Sequence, residues 1–383
     1  MLKLTTLIFI LGLTIVEAKA APACPLVPPS DKATRQVDLR REMAPVKDQD
    51  SIGWCYGFTA SDLLTHYLYK TNGKNILGST GWPDYRLKSY NVSSMAISTM
   101  YNQKKKNDYS SALNNRTLLE LERAKTKVVA EGGTVFGALL IAKEKGFCFE
   151  KDVSSEDFSY VEDYRCAVKN HCSIGEILNI VYNGAKEKIG CDDLFTIQKV
   201  FPSLKLNAIK NVLERSARQN ALSNLVNLSC KKKFTNNFGL GQPRFETKTI
   251  KIGESSTELM SSLDNHLDRG IPVGIMYYAD FLMGGTGKKF AHASSIVGKS
   301  YNPATCEVEY ILKNSWGRGC GYYLKENPEY KKCSTDACRK QYKPIPRNPR
   351  VRCESPSGYV FIRKSDLKNQ IYNVTAIQED SFI

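Results

Sequence analysis

From residue 55 onward, apolar side chains recur at Phe58, Ala60, Leu63, Leu64, Tyr67 and Leu68. Steps of three and four residues place them on one helical face, which predicts a helix over residues 55–69. A second stripe, Leu118, Leu119, Leu121 and Val128, predicts another helix. "TVFGALLIAKEKG" (134–146) predicts a third, closed by Gly146. Residues 166–237 carry Ile177, Leu178, Ile180 and Val181, then Leu206, Ile209, Val212 and Leu213, and read as mainly helical and polar. In "ESSTELMSSLDNHLDRG" (254–270), Ser255 and Glu258 have capping-box spacing. Leu259, Leu263 and Leu267 form the stripe there, and Gly270 the stop.

The pattern then changes period. "IPVGIMYY", "FAHASSIVG", "CEVEYILKN" and "GYVFIRK" are rich in branched and aromatic residues between Gly and Pro signals, and predict strands. Helices first and strands later predict an α+β protein with segregated lobes. No internal repeat is visible.

The first residues, "MLKLTTLIFILGLTIVEAKAAPAC", join one early lysine to an apolar core over residues 4–16 and an Ala18-Lys19-Ala20 exit. This is the pattern of a cleavable signal peptide over 1–20, followed by an N-terminal segment at 21–36. An uncleaved anchor is disfavoured because the apolar run is short of the ~20 residues a bilayer needs. A lipid anchor on Cys24 is disfavoured because Ala21 stands where an aliphatic residue would be required. No later segment is long and apolar enough to span a membrane. The expected location is secreted or periplasmic.

Composition changes two points. Twelve cysteines in an exported chain imply a disulfide framework. If one thiol is free, parity requires at least one more. The net charge of +15 gathers at 104–106, 231–233 and 339–352. An acidic surface or polymer is the partner such runs would attract. They lack interleaved aromatics, so no specific nucleic-acid partner is expected. Asn91, Asn115, Asn227 and Asn373 have the spacing of glycan acceptors.

The candidate chemistry begins in "DQDSIGWCYGFTASDLL" (48–64), where Cys55 stands at a predicted helix start. Unpaired N–H groups and the helix dipole there favour a thiolate. A bridged or merely buried thiol remains an alternative at this stage. Of the four histidines, His66 lies on the same helix, too far along its axis to reach Cys55. His171 sits beside Cys172 in a polar segment, and His266 lies by an apolar stripe as a structural residue would. His292 stands among the small residues Ala291, Ala293, Ser294 and Ser295 at the start of a strand. "ILKNSWGRG" supplies Asn314 to orient an imidazole, followed by Trp316 to shield the pair from water.

Taken in order, "PVKDQDSIGWCYGF", "EGG", "RGIPVGIMYY", "AHASSIVG", "ILKNSWG" and "GYVFI" resemble the papain-like cysteine proteases. The motifs span residues 37–71, 131–151, 254–317 and 358–363. The resemblance implies a two-lobed papain-like fold, a helical lobe carrying the nucleophile and a β-barrel-like lobe carrying His and Asn. It implies Cys55 as nucleophile, His292 as base and later acid, Asn314 as orienting residue and Trp316 as its shield. Gln49 would offer its side-chain amide to an oxyanion. Gly132 and Gly133 would admit a substrate backbone, and Met276 with Ala291 would line an apolar pocket for the second residue before the scissile bond. Polypeptide substrates are the implied partners, with a proteinaceous inhibitor as a further candidate and no cofactor or metal.

The departures are specific. The family's bridged cysteine pair is replaced by Ile52 and Ala130. Trp54 occupies a place usually held by a small residue. His292 follows Cys55 at a far longer interval than the family's ~130–150 residues. The excess lies in a helical insertion of unknown role at 153–250, between a helical lobe at 37–152 and a β-rich lobe at 251–383. A second insertion, 318–357, holds Cys320, Cys333, Cys338 and Cys353. Metal ligation by these four is weighed against two disulfides, which the exported context favours. No long inhibitory pro-region precedes residue 37, so activity after a single cleavage at Ala20 is expected. An alternative reading is a catalytically silent papain-like binding or scaffold protein.

Overall fold

The computed structural model describes residues 35–50, 52–76, 91–111, 132–155, 174–185, 189–217, 220–230, 243–250, 254–288, 290–325, 327–328, 335 and 344–378. The signal-peptide stretch, the helix expected around Leu118–Val128, His171, Cys333 and Cys338 lie outside them.

Short strand β1 (Val37–Asp38) precedes the helical half: α1 (Cys55–Ile76), α2 (Ser94–Ser111), α3 (Val135–Lys145), α4 (Ile174–Gly184), α5 (Cys191–Val200), α6 (Leu206–Arg215) and α7 (Ala221–Cys230). The sheet half follows with β2 (Arg244–Thr249), α8 (Thr257–Asp268), β3 (Val273–Tyr278), β4 (Ala291–Asn302), β5 (Glu307–Lys313), β6 (Leu324–Lys325), β7 (Ile345–Pro346), β8 (Val351–Glu354), β9 (Tyr359–Arg363), α9 (Lys364–Lys368) and β10 (Ile371–Gln378). The large sheet runs β2-β10-β3-β4-β5-β9-β8, antiparallel at every pairing, with β1 added on β4. The protein is α+β, with one apolar core among the helices and another between the sheet and α8.

The helical core takes Phe58, Leu63 and Leu64 from α1, Met95 and Ile97 from α2, and Leu139 from α3. Helices α4–α7 bury Ile177, Ile197, Ile209 and Leu225 in that same core, so this stretch packs as part of the helical half. A Cys148–Cys230 disulfide ties α7 to the segment after α3. Cys320–Cys353 closes the second insertion, and Cys306 is bridged as well. Among the described residues Cys55 and Cys191 are free, which supplies the second unpaired thiol that parity required.

Helix α3 begins and ends as its sequence predicts: Thr134 Oγ1 accepts the Gly137 N–H at 3.1 Å, and Gly146 adopts φ +82°. The Ser255/Glu258 capping box does not form. Helix α8 starts at Thr257 with Ser256 as its cap residue, and the Ser256 hydroxyl donates instead to the Lys368 carbonyl at 2.6 Å. Ser255 Oγ accepts the Thr257 N–H at 3.3 Å, two residues on, rather than an N–H inside the first turn. His266 is structural, with Nδ1 2.7 Å from the Ser262 carbonyl. Asn373 is buried, and its amide donates to Thr247, Lys248 and Thr249 across the sheet, so the folded chain offers no glycan acceptor there.

Candidate active site

The loop before α1 is held from both halves of the molecule. Gln49 N donates to the Ser315 carbonyl at 2.9 Å, Gly317 N donates to the Lys47 carbonyl at 3.1 Å, and Asp48 bridges Trp316 in antiparallel fashion. The Gln49 side chain continues this pairing: Oε1 accepts from the Ser315 hydroxyl and Nε2 donates to the Ile52 carbonyl at 2.7 Å. Lys47, buried, is satisfied by Glu150 at 2.5 Å and by Ser94 and the Val92 carbonyl. Two lobes thus converge on residues 47–49 through backbone pairing and one desolvated ion pair.

Trp54 is fully buried and its carbonyl accepts the Phe58 N–H at 3.2 Å, which makes it the residue that opens α1. Cys55 therefore occupies the first helical turn, free and partly exposed. Burial pushes its thiol up to about 11, while backbone N–H groups of Ala293, Tyr56 and Cys55 itself pull the other way. Two of those donors belong to the helix start. The third belongs to the residue after His292, so the sulfur lies against the beginning of β4.

His292 is buried on β4. Its Nε2 lies 2.6 Å from Asn314 Oδ1, and the Trp316 ring is tilted beside it with centroids 5.0 Å apart. Trp316 in turn stacks on Tyr323 at 5.7 Å. Burial pulls the imidazole down to about 4, opposed by the Asn314 bond. Thus burial favours the neutral form of both the thiol and the ring. An ion pair between them forms only as far as their mutual attraction offsets those two effects.

Lys313, the residue before Asn314, is buried with Asp62 of α1 at 2.6 Å. This pair fixes α1 against the strand that leads into Asn314. Burial lowers the Lys313 pKa, and the Asp62 carboxylate opposes that shift.

The remaining expected residues surround the same place. Met276 is opposite Ala293, and Ala291 opposite Tyr278, in the β3–β4 register. Met276 is half-buried and Ala291 exposed. Gly132, exposed at φ +80°, donates its N–H to the Gly53 carbonyl at 3.0 Å. Gly133 has a local reason to lack a side chain: a Cβ would lie 2.6 Å from the Tyr101 ring and 3.0 Å from that of Tyr56. Gly133→Ala is expected to cost about 1–3 kcal/mol by forcing these rings apart. Urea unfolding reads that cost directly.

Four residues that the sequence assigns no role join this region. Ser294 Oγ lies 3.0 Å from Asn314 Oδ1 and 3.0 Å from the Tyr277 hydroxyl. Asn314 Nδ2 donates to the Tyr323 hydroxyl at 2.7 Å. Tyr372 is pushed up to about 12, by burial first and then by the nearby Cys55. Their types suit strands and cores equally well, so only their positions reveal them. Among the described residues, no group of three or more His, Cys, Asp or Glu gathers around a metal position.

No family model and no curated protein matches the sequence. Solved structures similar to this chain include digestive procathepsin L 3 of Tenebrio molitor larval midgut, at 13% identity and a TM-score of 0.41 over 94% of this chain and 74% of that one. A chain from the structural study of antibody cross-reactivity between the mite allergens Blo t 1 and Der p 1 gives 12% identity and 0.40, over 94% and 75%. A recombinant stem bromelain precursor gives 11% and 0.39, over 91% and 72%.

Proposed function

We propose that this protein is an exported papain-like cysteine endopeptidase acting on polypeptides. The observation that carries the reading is a free thiol at the first turn of α1, against the Ala293 N–H beside an imidazole bound to Asn314 at 2.6 Å. In this reaction the Cys55 thiolate attacks the scissile carbonyl, and the carbonyl carbon becomes tetrahedral with charge on its oxygen. The Cys55 N–H and the second amide hydrogen of Gln49 stabilise that oxyanion. His292 then protonates the leaving amine, and the C–N bond breaks to give a thioester. Water, deprotonated by the same ring, releases the acid and restores the thiol. Gly132 and Gly133 let the substrate backbone lie close on the acyl side, and Met276 with Ala291 lines the pocket for the second residue before the scissile bond, which favours an apolar side chain there.

The test is a fluorogenic dipeptide amide with an apolar residue at that position, incubated with the mature chain. Hydrolysis that is lost on brief alkylation of Cys55 supports the proposal; an intact substrate with Cys55 demonstrably free overturns it. The second reading, a silent binding protein, is favoured by one observation: burial drives both the thiol and the ring toward neutrality. Two of the described arginines in the 339–352 run have neighbours yet keep more than half of their side chains exposed. Arg350 pairs with Asp366 at 3.1 Å, and Arg352 lies over Phe361 at 3.6 Å.

A further inference from the structure

We propose that Ser294 is a positioning residue: backed by Tyr277, it holds the Asn314 amide in one orientation and thereby fixes the tautomer of His292. The inference rests on the peptidase reading only for its consequence in catalysis; the proton arrangement itself follows from counting donors.

Asn314 Oδ1 lies 2.8 Å from the Ser315 backbone nitrogen, which can only donate. Oxygen, not nitrogen, is therefore the atom at that site, and Nδ2 is left to donate to Tyr323. An amide oxygen carries no hydrogen, so Ser294 Oγ, 3.0 Å away, must donate to it. A serine has one hydroxyl hydrogen, and this bond uses it. The Tyr277 hydroxyl, 3.0 Å from Ser294 Oγ, must therefore be the donor to Ser294. The chain runs one way, from Tyr277 to Ser294 to Asn314.

The same oxygen lies 2.6 Å from His292 Nε2, so that nitrogen carries the proton and Nδ1 carries the lone pair. This is the tautomer that can take a proton from a thiol. Rotating the Asn314 amide by half a turn would present Nδ2 to the ring, reverse the tautomer, and leave Nδ1 unable to act as a base. The Ser315 N–H opposes that rotation from the turn, where Ser315 is itself paired with Gln49. Ser294, on β4 two residues after His292, opposes it from the sheet. Tyr277 also packs edge-on to the imidazole, with centroids 5.8 Å apart.

The experiment compares Ser294→Ala, Tyr277→Phe and the double variant by two readouts. One is the side-chain ¹⁵N spectrum of His292, which reports the tautomer. The other is the rate at which Cys55 is alkylated at pH 6. Above the pH at which the ring gives up its second proton, wild type is expected to show a single Nε2–H tautomer. Ser294→Ala should show both tautomers and label about fivefold more slowly, the equivalent of one hydrogen bond. Ser294→Ala leaves the buried Tyr277 hydroxyl without its partner, whereas the double variant removes that hydroxyl. The double variant should therefore regain thermal stability while keeping the mixed tautomer and the slow labelling. A single Nε2–H tautomer with the wild-type labelling rate in the two variants that lack the Ser294 hydroxyl overturns the proposal. If wild-type Cys55 shows no preferential labelling, the peptidase reading fails separately, and the ¹⁵N spectrum still decides the role of Ser294.

Discussion

Replacing His292 with alanine is expected to slow alkylation of Cys55 at pH 6 at least about a hundredfold. Burial is the largest influence on this sulfur, and without a cation beside it the thiol stands at about 11. At pH 6 such a thiol is ionised to about one part in 10⁵. Labelling of the variant should therefore climb steadily with alkaline pH, while the wild type labels readily in mild acid. The reciprocal variant, Cys55→Ala, removes the sulfur anion and leaves burial to hold the ring down at about 4. Its imidazole C2 proton should then titrate near 4, well below a free histidine at ~6.5. Mass spectrometry of the labelled peptide and proton NMR measure the two effects. A His292→Ala protein labelled as fast as wild type removes the imidazole from its proposed role. A wild type labelled only as the pH approaches 11 leaves the silent binding reading in place.

The second large effect concerns the joint between the lobes. Asp62 and Lys313 are 7% and 3% exposed and 2.6 Å apart. Truncating either side chain strands the other charge away from water, at a cost of about 3–5 kcal/mol. Asp62→Ala and Lys313→Met should each lower the urea midpoint accordingly. Substituting both with apolar residues of matching volume should recover most of the loss, because two desolvated charges are exchanged for packing. Losses below about 1 kcal/mol in both single variants, as for surface pairs, would show that the pair is solvated and that the lobes are joined mainly elsewhere. The single variants should also weaken Cys55 labelling, since Asn314 directly follows Lys313.

The segments whose sequence spoke plainly are those with one apolar face or a run of branched residues. Helix α1 follows its Phe58–Leu68 stripe, α3 its Thr134 and Gly146 boundaries, and β3, β4, β5 and β9 their branched and aromatic runs. Strand β2, "RFETKT", stayed silent because it is an edge strand with mostly polar, exposed positions. Strand β10, "IYNVTAIQ", is buried on both faces, and its polar Asn373 and Thr375 hide the burial by bonding to β2 and to each other. Helix α2 carries a weak apolar signal because Ser94 and Ser98 fill buried places on it, with Ser93 buried just before it.

Cys55, His292 and Asn314 could be singled out from sequence because each carries its own local surroundings: a helix start, a cluster of small residues, a turn ending in Trp316. What no stretch of sequence contains is which polar groups lose water together. Lys47, Lys313 and Asp62 look like surface charges, and Ser294, Tyr277 and Tyr323 look like ordinary strand and core residues. Only tertiary packing desolvates them in pairs and chains, Lys47 against Glu150 and Ser94, and Lys313 against Asp62 of α1. The sequence alone determined the elements with one apolar face or a branched run, and the reactive residue types, through periodicity and local chemistry. The tertiary structure decided the partners, because desolvation and hydrogen-bond direction depend on neighbours from 9 to 251 residues away along the chain.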